Sequence, residues 1–315
     1  MQKISFHSKG KLLVTGVIIA FVGVVWLFIS LVSLVFIVDE KELVDLNEIT
    51  NYVEKIDKFV LQGFNQKQQL VHFIESDKYY SFKEKPALLL EPKVTVYNKK
   101  GEELYMLTSK RANYLEDGEI IFKGKVNINS KSGASYQMNA KELSVNTKTN
   151  NLKSDKQIIY LDKKARVVAQ GMLMKSTEDK MHLLGKTTIN QKGGQKIFTK
   201  DLFIDQSNAK KRYYSKHKTT YLASGNKIYS QGLDMDTGEG ITILLGKVDI
   251  LQKSGAKINT SRLIVDQSKG RDIYRTVAQV HYQSGISNIH AKKGMYYDVK
   301  DQKLRLTGGV VGRYE

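Results

Sequence analysis

The sequence predicts an all-β protein behind a single N-terminal transmembrane helix. Roughly 16–19 meandering antiparallel strands are expected, stacked one-dimensionally as two facing sheets around a long apolar interior. Three observations carry this. First, the stretch Glu119–Gly133, EIIFKGKVNINSKSG, returns as MHLLGKTTINQKGG from Met181, ITILLGKVDILQKSG from Ile241 and LRLTGGV from Leu304. Its glycines Gly124, Gly185, Gly246 and Gly308 recur at a nearly constant step of about 60 residues. Gly133, Gly194 and Gly255 keep the same step. Two markers in phase define a structural repeat. Second, Ile120, Phe122, Gly124, Val126 and Ile128 alternate with Lys123, Lys125 and Asn127, the period-two pattern of a strand with one buried face. Third, Leu12–Val38 is a long apolar run without a single charge.

Composition narrows the function classes. With 315 residues and 41% hydrophobic content, the chain can bury one large core or two small ones. Two prolines among 24 glycines suit long strands and tight turns rather than a helical bundle. The absence of cysteine excludes disulfides, thiolate metal sites, a cysteine nucleophile and lipoprotein acylation. A formal net charge of +18 invites a nucleic-acid reading. The lysines, however, are spread over outward strand positions and turns, so a solvated basic surface is preferred to an anion-facing one.

The elements follow in order. Residues 1–11 carry Lys3, Lys9 and Lys11 and form a cytoplasmic N-terminus. Residues 12–38 form the transmembrane helix, about 40 Å long against a hydrocarbon core of about 30 Å. Leu34–Val38 leads straight into Asp39-Glu40 with no small-x-small site, which favours a retained anchor over a cleaved signal peptide. Positive charge before the span and acidic charge after it put the rest of the chain outside the cytoplasm. Residues 39–57 form a stalk or linker. Leu46, Ile49, Val53, Ile56 and Val60 recur at helical spacing there, and Asp45 with Glu48 fits a capping box.

From 58 to 315 everything reads as β, beginning with FVLQGFN, QLVHFIE and ALLLEPKVTVYN; Gly63 lies one repeat step before Gly124. Turn signals such as Asn98–Gly101, Gly193-Gly194, Ser254-Gly255 and Asp301-Gln302 separate the strands. Expected strands include Tyr136–Val145, Val167–Lys175, Lys196–Asp205, Lys257–Asp266, Asn288–Val299 and Lys303–Gly312. One flat sheet of that size would roll up, and a propeller blade usually repeats in fewer residues. About nine layers at ~4.8 Å would make a stack near 45 Å long.

Motifs for chemistry are sparse. There is no His-Glu-x-x-His, phosphate-binding glycine loop or Gly-x-Ser-x-Gly. His281 and His290 read as ordinary strand surface. Asp234–Glu239 lacks the glutamate of a calcium loop, since its twelfth position is Leu245. Lys210–Lys218, KKRYYSKHK, interleaves basic and aromatic residues and could stack bases on Tyr213 and Tyr214. Behind an exporting anchor it reads instead as a solvated strand start or a contact for anionic lipid headgroups. The repeated glycines have two readings: a bulge or tight packing, or room for a ligand on the inward face.

The repeats take the form L-x-G-x-V-x-I, then G-x-x-I-x-T-x-x-L-x-x-D, seen as GAKINTSRLIVD from Gly255 and GQKIFTKDLFID from Gly194. Behind a single span, from about Lys58 to the end, they resemble the LptC family and the wider OstA/LptA-like β-jellyroll proteins. The resemblance implies an open, twisted β-jellyroll in the periplasm, anchored in the bacterial inner membrane by residues 12–38. It implies docking on the LptB–LptF–LptG ABC transporter and transfer of lipopolysaccharide to an LptA-like jellyroll. The β region is longer than the single jellyroll usual for the family, which suggests an LptC-like portion running into LptA-like repeats.

On this reading the protein is not an enzyme, needs no cofactor and binds no nucleic acid. Its candidate lipid-binding residues are the inward Phe122, Val126, Ile128, Leu183, Ile189, Leu244, Val248 and Ile250. The last strand offers Leu304, Arg305 and Leu306 as a partner edge. The alternative is a membrane-anchored assembly protein that recruits partners through strand edges without carrying lipid. A polysaccharide hydrolase would need two convergent carboxylates in a groove, where the inward positions read apolar.

Overall fold

The computed structural model describes residues 49–131, 135–175, 180–206 and 212–314. The apolar run 12–38 and most of the stalk lie outside them. No helix among the described residues is long and apolar enough to cross a membrane. The β region forms one compact unit, Asn51–Glu315.

Its first strands are β1 (Glu54–Phe64), β2 (Leu70–Ser81), β3 (Ala87–Leu90), β4 (Lys93–Tyr97), β5 (Glu103–Thr108) and β6 (Arg111–Tyr114). Next come β7 (Glu119–Ser130), β8 (Gln137–Asn146), β9 (Asn151–Ser154), β10 (Ile158–Leu161), β11 (Ala165–Ala169) and β12 (Gly171–Lys175). The chain continues through β13 (Lys180–Gln191), β14 (Lys196–Asp205), β15 (Arg212–Ser215), β16 (Thr219–Ala223), β17 (Asn226–Asp236) and β18 (Ile241–Leu251). It ends in β19 (Lys257–Asp266), β20 (Ile273–Thr276), β21 (Val280–Ser284), β22 (Ser287–Ala291), β23 (Met295–Asp298), β24 (Lys303–Leu306) and β25 (Val310–Tyr314).

Every pairing among the described residues is antiparallel, and the pairings resolve the strands into layers. Short strands come in pairs that flank the two ends of a long one: β5 and β6 both pair with β7, β9 and β10 with β8, β11 and β12 with β13. The arrangement recurs for β3 and β4 on β2, β15 and β16 on β14, and β20 and β21 on β19. Among the described residues nine layers are single strands and eight are such pairs, giving seventeen layers from twenty-five strands. The strand count exceeds the expected 16–19 because eight layers break at a corner into two short strands. Seventeen layers at about 4.8 Å make a stack on the order of 75 Å long rather than about 45 Å.

Two half-ladders result. One carries β3, β6, β9, β12, β15, β20, β23 and β24; the other carries β4, β5, β10, β11, β16, β21, β22 and β25. The long strands bend from one into the other. Their inward residues form one core cluster from Ile74 to Tyr297.

The bends explain the repeated glycines. The register slips between Lys123 and Val126 in β7, Leu183 and Lys186 in β13, and Leu244 and Lys247 in β18. Gly124, Gly185 and Gly246 sit in these bulges at φ of 70°, 70° and 68°, in the left-handed region where glycine carries no Cβ penalty. A Cβ at Gly246 would also lie 2.0 Å from Gln231 Oε1, and one at Gly185 2.2 Å from Gln170 Oε1. Those two glutamines accept the N–H of Lys247 and Lys186. The glycines are therefore corners rather than gaps on the inward face.

Several boundaries move from their expected places. The β region starts at Glu54, not at 58. Ile56 and Val60, spaced for a helix, lie in β1, because pairing with β2 along the whole strand outweighs local periodicity. Phe59 stacks on Tyr79 at 4.5 Å across that pair. Val167–Lys175 breaks at Gln170, and Asn288–Val299 breaks at Lys292–Gly294. The last strand breaks at Gly308-Gly309, where φ is 74° and 69°. In each case the alternation continues on both sides of a corner. Lys196–Asp205 and Lys257–Asp266 match their expected bounds.

Candidate functional site

The bends bring the inward positions into columns. All eight candidate residues face the interior, and each is no more than 2% exposed. Phe122 lies between Ala112 and Leu143, Leu183 between Met172 and Leu202, and Leu244 between Leu233 and Leu263. On the other half-ladder Ile128 sits between Leu107 and Met138, Ile189 between Val167 and Ile197, and Ile250 between Ile228 and Ile258. Val126 lies opposite Ala140, and Val248 between Ser230 and Thr260. Burying each such side chain is worth about 1.5–3 kcal/mol, so the same columns that could hold acyl chains also hold the fold together.

Polar groups at the corners are satisfied locally. Ser154, Ser215 and Thr276 occupy one position of successive repeats. They donate to the carbonyls of Glu142, Lys200 and Ser261 at 2.6, 2.6 and 2.9 Å. A buried hydroxyl with a backbone partner avoids the penalty of an unmet hydrogen bond.

Opposite the corners the two half-ladders meet along a mouth, and a set of residues missed by the sequence reading bridges it. Tyr160 of β10 and Tyr213 of β15 come from opposite half-ladders. Their rings lie edge to face at 6.3 Å, and Tyr136 stacks on Tyr160 at 5.5 Å. Both phenols donate to Asp162 Oδ2, Tyr213 at 2.5 Å and Tyr160 at 3.3 Å, and the Gln206 amide donates to Tyr160 at 2.7 Å. Burial pushes both phenol pKa values upward, keeping them protonated as donors. Tyr136 to Met174 Sδ and Gln191 to Met235 Sδ also cross the mouth. Tyr221 lies one repeat after Tyr160, and Tyr274 one repeat after Tyr213, a signal available in the sequence. Inward tyrosines simply count as apolar in an alternation pattern.

Other candidates resolve differently. Tyr213 is buried and Tyr214 stacks on Phe203 at 4.9 Å, so the two do not form an exposed platform for bases. Arg212 is held by Asp234 through two bonds of 2.7 and 2.6 Å, and that bond raises its pKa. Asp236 accepts the N–H groups of Gly238 and Glu239, capping the turn. His281 and His290 lie directly opposite each other with rings stacked at 4.1 Å. A groove of about 790 Å³ is lined by the outward Leu173, His182, Phe203 and Tyr214 together with the core residues Leu152, Met174, Met181 and Ile204.

At the far end of the stack, β24 pairs with β23 and β25 with β22, and neither has a second neighbour among the described residues. Arg305 is exposed there, while Leu304 and Leu306 are half-buried against the core.

No curated protein matches the chain. A sequence model of the family described as lipopolysaccharide-assembly, LptC-related, matches residues 17–192, more than half of the chain. It stops in the hairpin between β13 and β14, short of the end to which the resemblance was expected to run, while the structural repeat continues beyond it. The family is a component of lipopolysaccharide transport and is not known as an enzyme. The chain belongs to the LptC-related family of lipopolysaccharide-assembly proteins.

Proposed function

We propose that this protein relays lipopolysaccharide, receiving it from an LptB–LptF–LptG transporter at the inner membrane and passing it to an LptA-like jellyroll. Residues 12–38 anchor it with its N-terminus in the cytoplasm and the β unit in the periplasm. The observation that carries the reading is the continuity of the apolar interior: one core cluster runs from Ile74 to Tyr297, past the end of the family match. Each acyl methylene kept from water is worth about 0.8 kcal/mol, so a multi-chain lipid needs an uninterrupted apolar path. Phe122, Val126, Ile128, Leu183, Ile189, Leu244, Val248 and Ile250 would line that path once the half-ladders part. Energy for movement comes from the partner ATPase. The free edge at Leu304, Arg305 and Leu306 would continue the path by β-augmentation.

The full burial of those eight side chains favours a second reading, in which the core is merely filled and the edges recruit partners. Photo-crosslinkers replacing Phe122 and Val248 separate the two. Relay gives lipopolysaccharide adducts at both; a filled core gives none at either, and the relay reading then fails.

A further inference from the structure

The two tyrosine bridges across the mouth are built from the same repeat positions but are not equally complete. In the first, Tyr160 and Tyr213 both reach Asp162, and Gln206 completes Tyr160. In the second, the place of Asp162 is taken by Ala223, and the acid is supplied from the other side by Asp272. Asp272 Oδ2 accepts Ser224 Oγ at 2.7 Å. Its Oδ1, the Tyr221 hydroxyl and the Tyr274 hydroxyl are buried with no hydrogen-bond partner. The Asn226 side chain approaches the Tyr274 hydroxyl without closing a bond to it. No ring contact joins Tyr221 to Tyr274 among the described residues, whereas Tyr160 and Tyr213 touch edge to face.

Unmet buried polar groups penalise the closed state, and water would satisfy all three oxygens as soon as the half-ladders part. Opening at Tyr221–Tyr274 thus releases a penalty, while opening at Tyr160–Tyr213 breaks a finished network. We propose that the mouth opens laterally between β16 and β20, giving acyl chains that move along the interior a lateral exit past Tyr221 and Tyr274. The Tyr160–Asp162–Tyr213 bridge is the closed latch beside it. The opening itself is a property of the lipid-free protein; only its cargo rests on the relay reading.

Amide hydrogen exchange on the lipid-free full chain tests the opening. After correction for intrinsic rates, amides of β16 and β20 should exchange about tenfold or more faster than those of β10 and β15. Replacing Tyr221→Phe and Tyr274→Phe together removes two unmet oxygens and keeps the rings, and should slow that exchange toward the level of the first bridge. Fraying from the end of the stack would not respond to this change. Equal exchange at the two bridges, or exchange that ignores the double substitution, overturns the proposal. Photo-crosslinkers at 221 and 274 test the cargo. Adducts at inward positions with none at 221 or 274 remove the portal alone. No adducts anywhere, with the exchange difference intact, remove the relay reading and the portal's cargo with it.

Discussion

The half of the β unit inside the family match and the half beyond it share their architecture and the few sequence positions that mark each repeat. Both turn their long strands at a glycine bulge, Gly185 before the boundary and Gly246 after it. Both brace that bulge with a glutamine, Gln170 and Gln231. Both fill the inward columns with aliphatic residues at equivalent positions, Leu183 and Leu244, Ile189 and Ile250. The mouth is closed differently along the stack: the completed Asp162 network straddles the boundary, with Tyr160 before it and Tyr213 and Gln206 after it, and the incomplete Asp272 cluster lies wholly beyond it. The stack is thus specified by few positions per repeat, while the polar closure is free to vary and can tune where the stack opens.

Introducing a charge into either half should have the largest effect. Val248→Asp and Phe122→Asp each bury an unpaired carboxylate at a fully covered site, at a cost of several kcal/mol. In a quasi-one-dimensional stack the damage stays with neighbouring layers. Exchange protection should therefore fall around β18 for Val248→Asp and around β7 for Phe122→Asp, with the other half retained. Lys247→Ser, on the outward face, should leave both maps unchanged. Loss of the whole stack from either carboxylate would show that the halves fold as one cooperative unit.

A smaller effect is expected at the bulges. Gly185→Ala and Gly246→Ala place a side chain at positive φ and press on a glutamine, each costing of order 1–3 kcal/mol. If the corner device is the same in both halves, denaturant titrations should give matching losses. A difference of several-fold between them would break the equivalence of the repeats.

The smallest effect concerns the N-terminal edge. Burial lowers the pKa of His72, whose Nδ1 has no partner. The unfolded chain then binds a proton near pH 6.5 that the folded chain resists, so this contribution is full above about 6.5 and is lost as pH falls. Acidification from pH 7 to 5.5 should lower the melting temperature by roughly 1–2 °C more in the native protein than in His72→Gln. Equal pH profiles would remove His72 from the account.

Much of this was legible in the residues. The period-two alternation with a turn at each end placed β14 and β19, and the constant repeat step singled out Gly124, Gly185 and Gly246, with a bulge as one of their two readings. The breaks at Gln170 and at Lys292–Gly294 were hidden because a sheet corner leaves the inward phase undisturbed on either side. The start of β1, Glu54–Asp57, was hidden because the apolar spacing through Ile56 also fits a helix, and only pairing with β2 decides between them. The inward columns were readable from Phe122 to Ile250. The mouth was not, since Tyr160, Tyr221 and Tyr274 look like core, and Tyr213 like strand surface, until the surroundings of their hydroxyls are seen.

The central claim is that one continuous apolar path runs through both halves. Time-resolved photo-crosslinking to lipopolysaccharide, started by adding ATP to the assembled transporter with probes at Phe122 or Val248, tests it directly. The account expects adducts at Phe122 first and at Val248 after a delay. Adducts that build up at Phe122 and never reach Val248 would contradict it, leaving the second half as a scaffold rather than part of the path.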